Sequence, residues 1–271
     1  MRMIRRFLFL PVCLLTVIGS PAARAQDCPD FGAGHQLPIL DRVQLARQTQ
    51  ILCSSGFAVL YSGLAREPLW AAEHLDATTV RAAMATPREG DFHPDTRLPP
   101  GSRAELADYV RSGFDRGHMA PSGDMPDRQT QAESFALSNI VPQRAELNRG
   151  RWAEIESAVR RLALREGGLY VVTGPAFHAR TITTIGPDRV MVPTSTWKAV
   201  YDPHRQQTGV YVCHNVPRSP RCSYVSVARL TRITGVDPFP ALPAGMKQTC
   251  MTLPFGHTGR KRHSRHARPV W

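Results

Sequence analysis

The chain has 271 residues, 42% of them hydrophobic and 21% charged, and carries a formal charge of +12 at neutral pH. That length can bury a real core as one large domain or two small ones. After the first residues no stretch is long and apolar enough to cross a bilayer, and the basic surplus favours polyanions, nucleic acid first and anionic surfaces second.

The opening reads as a targeting segment. Met1-Arg2-Met3-Ile4-Arg5-Arg6 is basic, Phe7 to Gly19 is apolar, and Ala23-Arg24-Ala25 is a small-x-small cleavage site. Residues 1–25 are therefore expected to be a secretory signal peptide, with a periplasmic or secreted mature protein. Arg5-Arg6 has a poor context for twin-arginine export, so the general secretory route is expected. The arginines at 2, 5, 6 and 24 leave with the signal, which reduces the charge from +12 to +8. Cys13 leaves too. Of the cysteines that remain, Cys28 with Cys53 and Cys213 with Cys222 is the expected pairing in an oxidising compartment, with Cys250 left over. Spacing alone leaves other connectivities open.

An irregular arm over 26–37 precedes a short helix expected over Ile39–Leu52, with Asp41 near its start. Phe57–Tyr61 and Pro68–Leu75 read as partnered strands by their apolar and aromatic content. Pro, Gly and charge mark Thr86–Ser102 as an exposed loop, which carries Arg88. Arg103–Arg111 has room for one or two helical turns. Asp127 is placed to cap a helix running to about Ser134, Phe135–Val141 reads as extended, and Pro142 suits the first turn of a helix that continues to about Glu166. Later strands are expected at 168–174, 189–193, 197–201, 208–214 and 223–227, with a short helical piece over 228–233. Strands and helices mix without regular alternation. The class is α+β, a single domain (26–254) with a central antiparallel sheet flanked by helices. Residues 255–271, rich in Arg, Lys and His, are expected to be a flexible basic tail.

The chemistry gathers in two stretches. Phe114-Asp115-Arg116-Gly117-His118-Met119-Ala120-Pro121 sets an imidazole beside a guanidinium, with Gly117 expected to allow a tight backbone turn between them. His118 is a candidate general base on water. Asn148-Arg149-Gly150-Arg151-Trp152-Ala153-Glu154-Ile155-Glu156 then puts an amide and a carboxylate on a helix. At about 100° per residue, Asn148 and Glu156 lie roughly 80° apart, so both can border one site, whereas Glu154 points elsewhere. An oxygen ligand suits a hard cation, and Arg88 and Arg116 are phosphate-clamp candidates. Asp115 is expected to bond backbone amides ahead of the turn. Cys213-His214 lacks a second pair at zinc-finger spacing, so zinc is not expected.

Asp115-Arg116-Gly117-His118-Met119-Ala120-Pro121, then Ser138-Asn139-Ile140-Val141-Pro142-Gln143, then Leu147-Asn148-Arg149-Gly150-x-Trp152 ending in Glu156, resembles the DNA/RNA non-specific endonucleases, the ββα-metal (His-Me finger) enzymes. The resemblance runs from about Gly56 to about Asp237, and Val172-Thr173-Gly174-Pro175 and Val192-Pro193 with Trp197-Lys198 resemble later family segments. It implies His118 as general base and Asn148 as the only side chain bound directly to Mg²⁺, with Mn²⁺ an acceptable replacement. It further implies Glu156 as the carboxylate holding metal-bound water and Asn139 as an amide that orients the site. Arg116 would support the phosphate and metal site, and Arg88 would be the loop arginine that stabilises phosphate charge. The substrates implied are DNA and RNA, cut with little sequence preference to 5′-phosphate and 3′-hydroxyl ends. Two rival readings are a non-catalytic nucleic-acid-binding protein on the same fold and a secreted phosphodiesterase of small esters.

Overall fold

The computed structural model describes Cys28 and residues 31–42 and 44–255. The expected signal peptide falls outside the described residues, as does the basic tail beyond Phe255. The chain opens with β1 (Ile39–Leu40), β2 (Thr49–Cys53), β3 (Ala58–Ser62) and β4 (Glu67–Asp76), followed by α1 (Ala77–Ala85) and α2 (Leu106–Tyr109). Then come β5 (Asp115–His118), α3 (Arg128–Ser134), β6 (Ile140–Gln143), a π turn over Leu147–Trp152, and α4 (Ala153–Glu166). The remainder is β7 (Gly168–Ala176), β8 (Thr184–Ile185), β9 (Val190–Met191), β10 (Ser195–Asp202), β11 (Gln207–His214), β12 (Cys222–Val225), α5 (Val227–Thr234), β13 (Val236–Asp237) and α6 (Ala244–Gln248).

Seven strands form the central sheet in the order β12-β11-β10-β7-β4-β3-β2, with every pairing antiparallel. The inner strands are apolar on both faces because both faces are covered: β10 is buried at every position. Trp70, Trp197, Val212 and Phe239 pack on one side. On the other, Leu75, Val171 and Val200 meet Trp152, Ile155, Val159 and Leu162 of α4. The α+β class with a central antiparallel sheet and flanking helices is therefore the observed one. Both expected disulfides, Cys28–Cys53 and Cys213–Cys222, are present, and Cys250 is a free thiol.

Several local expectations fail for identifiable reasons. The helix expected over Ile39–Leu52 is instead two strands and a turn. Leu40 pairs with Val236 and Thr49–Cys53 with Ala58–Ser62, so pairing with distant chain overrides the helical pattern. Asp41 caps nothing; its amide donates to the carbonyl of Gly235. Phe135–Val141 is not continuously extended, since a 3-10 turn at Leu137–Asn139 precedes β6. Pro142 begins no helix. It lies in β6 opposite Arg116, in a two-stranded ribbon that tolerates a missing N–H, and its carbonyl accepts from Asn215 Nδ2 at 2.9 Å. The loop at 86–102 is exposed at Arg88, but Asp95 and Leu98 are buried. Asp95 is held there by Arg97 and by the Ser138 hydroxyl.

Candidate active site

Strand β5, the π turn and the start of α4 line a cleft of about 520 Å³, together with the loop residues Arg88 and Phe92. Strand alternation puts Arg116 and His118, two residues apart on β5, on one face. Gly117 between them makes no tight turn. It is paired strand backbone opposite Val141, and a Cβ there would come within 2.5 Å of Gln143 Oε1 and 2.7 Å of Gln143 Cβ. Glycine is needed for that close approach.

His118 is 7% exposed, with Phe92 and Phe135 at centroid distances of 5.2 and 5.0 Å. Burial, and secondarily the charge of Arg88, lowers its pKa to about 3, so the imidazole is neutral at physiological pH. Its buried Nε2 makes no hydrogen bond. Arg116 stacks on Phe92 at 4.5 Å. Arg88 donates to the Ser122 hydroxyl at 2.8 Å and lies 5.2 Å from the centre of the Phe135 ring.

Asn148 stands on the π turn. Its Nδ2 donates to Asp115 Oδ2 at 3.0 Å, which leaves Oδ1 as the atom with lone pairs to offer. Asp115 does not bond backbone amides as expected; its carboxylate accepts from Asn148 and, twice, from the Arg149 guanidinium. Partial burial works to raise the Asp115 pKa, but those side-chain hydrogen bonds outweigh it and hold the carboxyl below the usual range. Glu156 is half-buried, and burial pushes its pKa up to about 7, against the opposing pull of Lys198. Glu154 pairs with Arg151 at 2.7 Å and is not part of the cleft lining.

Arg88, Arg116, His118, Asn148 and Glu156 thus line a single cleft. Asn139 does not. It is fully buried, where Oδ1 accepts from the Ala120 amide and Nδ2 donates to the carbonyls of Ala120 and Ser134. It staples the segment after His118 and has no path to a substrate. Sequence reading missed two arginines, Arg149 and Arg160, that also line the cleft. Arg160 is paired with Asp124 at 2.6 Å, and its place one helical turn after Glu156 was the available signal.

Among the described residues no group of three or more His, Cys, Asp or Glu is arranged to hold a metal. A hard cation that keeps most of its water needs no such group and takes one or two protein oxygens. The donors on hand are Asn148 Oδ1 and the Glu156 carboxylate. Beneath them Glu73 is fully buried with both carboxyl oxygens unpartnered, and burial raises its pKa well above the usual carboxylate range.

The DNA/RNA non-specific endonuclease family model matches residues 40–245. The chain belongs to this family. It is similar to the mitochondrial nuclease EXOG of Danio rerio, 37% identical over 201 residues, which is 67% of this chain and 58% of that protein. The mitochondrial nuclease of Saccharomyces cerevisiae is 30% identical over 71% of this chain and 66% of its own length. Among solved structures, endonuclease G in complex with the inhibitor EndoGI superimposes with a TM-score of 0.68 at 30% identity, covering 72% of this chain and 88% of that one. The chain spans a little over half the length of the zebrafish relative. These relatives correct one expectation. The EXOG proteins and the yeast enzyme are mitochondrial, which overturns the periplasmic or secreted location read from the first twenty-five residues.

Proposed function

We propose that the protein is a divalent-cation-dependent endonuclease that hydrolyses the phosphodiester bonds of DNA and RNA with little sequence preference, leaving 5′-phosphate and 3′-hydroxyl ends. The observation that carries this is the convergence of His118, Asn148 and Glu156 with four arginines on one cleft. Arg88, Arg116, Arg149 and Arg160 make the cleft a receptor for phosphate, and contacts of that kind carry no sequence information. Asn148 would hold a Mg²⁺ ion, with Mn²⁺ an acceptable substitute, and Glu156 would accept hydrogen bonds from its water. When bound, the ion would supply positive charge to the ester oxygen as it leaves.

The other steps belong to side chains. His118 takes a proton from the attacking water on the side of the phosphorus opposite the leaving oxygen. Phe92 and Phe135 fix the ring plane, and low solvent access keeps the imidazole unprotonated. A base at about 3 is always free but weak. The negative charge of a bound phosphodiester would offset Arg88, the lesser cause of the shift, while burial keeps the imidazole neutral and able to accept a proton. Arg88 and Arg116 stabilise the extra charge that builds on the phosphate oxygens. Asn139 serves this indirectly, by holding the chain that follows His118.

The test is plasmid incubated with purified protein and Mg²⁺, with and without EDTA, alongside His118→Ala. The reading requires nicking and linearisation that EDTA abolishes and the variant loses. Tight binding without cleavage would select a non-catalytic nucleic-acid-binding protein, and cleavage of a small chromogenic diester in preference to plasmid would select a phosphodiesterase of small esters.

A further inference from the structure

Trp152 lies four residues after Asn148 and four before Glu156, at the junction of the π turn with α4. The two site residues therefore flank one buried indole, which is 1% exposed. The junction has an irregular backbone, with Gly150 at φ −109° and ψ −110°. Hydrogen bonds within a regular helix do not fix the separation of Asn148 from Glu156 here, so something beneath must.

What lies beneath is a polar island in an otherwise apolar sheet face. Lys198 on β10 pairs with Thr173 on β7, and Glu73 on β4 pairs with Val171, two residues from Thr173. Strand alternation places Lys198, Thr173 and Glu73 on the face that α4 covers. Glu73 and Lys198 are 0% and 1% exposed. Lys198 Nζ donates to Thr173 Oγ1 at 2.6 Å and lies 5.8 Å from the centre of the Trp152 ring. Both oxygens of Glu73 and the indole Nε1 of Trp152 are buried without partners. Lys198 has N–H groups beyond the one given to Thr173. Donors on Lys198 and Trp152 and acceptors on Glu73 thus share one buried face without a direct hydrogen bond between them, an arrangement that one bridging water would satisfy. Buried polar groups of this kind are costly unless they satisfy one another.

We propose that Lys198 and Glu73 are positioning residues that fix Trp152 over the sheet and so set the spacing of Asn148 and Glu156 across the cleft. This rests on the nuclease reading of that cleft. Outer residues that hold metal-binding side chains in place cost about 10- to 100-fold in metal affinity or activity when removed. A merely structural pair would cost stability alone.

The experiment compares Lys198→Met, which keeps length and apolar volume, with Glu73→Leu and the conservative Glu73→Gln. Each is assayed for kcat and KM on a defined duplex, for thermal stability, and for Mn²⁺ affinity by electron paramagnetic resonance in the nucleic-acid-free protein. Lys198→Met and Glu73→Leu are expected to lower kcat at least about tenfold with KM little changed, and to weaken Mn²⁺ binding about tenfold at temperatures where both remain folded. Glu73→Gln, which keeps an acceptor, is expected to stay within about threefold of the parent. Unchanged Mn²⁺ affinity and kcat in folded Lys198→Met would overturn the proposal. If that variant does not fold, Glu73→Leu against Glu73→Gln decides in the same way. A parent protein that binds Mn²⁺ but cuts no nucleic acid would instead refute the nuclease reading, since the Mn²⁺ comparison stands without turnover.

Discussion

Replacing Glu156 by Gln should make the protein more stable and nearly inactive, with the gain building as pH rises from about 4.5 to 7 and complete above that. Burial raises the Glu156 pKa from 4.5 to about 7 in the folded chain. Between those values the folded state holds a proton that the unfolded state releases, so stability falls as pH rises and the full cost is present above 7. At 1.36 kcal/mol per pKa unit the cost above pH 7 is about 3 kcal/mol at most, and solvent at the half-buried carboxylate brings the expectation to about 1–3 kcal/mol. At pH 5 the same linkage leaves less than about 1 kcal/mol. Glu156→Gln is neutral and nearly isosteric, so it escapes the cost. In EDTA at pH 8 its melting temperature should exceed the parent's by about 3–10 °C, and at pH 5 by little, on about 2–4 °C per kcal/mol for a chain of this size. Its cleavage rate with Mg²⁺ should fall at least about 100-fold, because an amide is a poorer acceptor for metal-bound water. Thermal melts at the two pH values in EDTA make the comparison. A variant no more stable than the parent at pH 8, or equally stabilised at both pH values, would refute the argument that Glu156 is buried at a cost for the sake of the site.

Other outcomes follow from the same contacts. Asn139→Ala should destabilise the fold by about 2–4 kcal/mol in urea melts, because the amide and carbonyl of Ala120 lose buried partners. Any activity left per folded molecule should then be near normal, in contrast with His118→Ala. Arg88→Ala should cost only about 1 kcal/mol of stability, from its contacts with Ser122 and Phe135, while lowering kcat by about 10- to 100-fold. Opening the Cys213–Cys222 bridge by a double Ser substitution should cost about 2–3 kcal/mol, the loop entropy for a separation of 9 residues. Affinity for a DNA duplex should fall linearly on a log–log plot against KCl concentration, and a flat plot would contradict phosphate-dominated binding.

The five cleft residues were legible because two short stretches and one loop arginine carry them, and each stretch lies on one local element: Arg116 and His118 on β5, Asn148 and Glu156 about a single helical junction. Strands such as β7 and β10 were legible from their apolar runs. The arm at 39–52 was not, because its partners are remote: Leu40 meets Val236, and nothing local marks that pairing. Pro142 misled for a related reason, since a ribbon with an open edge accepts a residue that the centre of a sheet would reject. Gly117 and Asn139 lie beside the site in the chain, but their physical tasks were not legible. One permits close packing against Gln143, and the other fills a buried hydrogen-bonding niche. Glu73 and Lys198 are 125 positions apart in the sequence, and only the register across β4, β7 and β10 brings them under the same helix.

The most direct measurement of the central claim is a double-mutant cycle on single-turnover cleavage of a defined duplex, using His118→Ala, Asn148→Ala and the two combined. If the imidazole and the amide act on the same phosphate as a unit, the double variant will be about as slow as the slower single variant. Losses that multiply would contradict that account, as would a His118→Ala enzyme that cuts as fast as the parent.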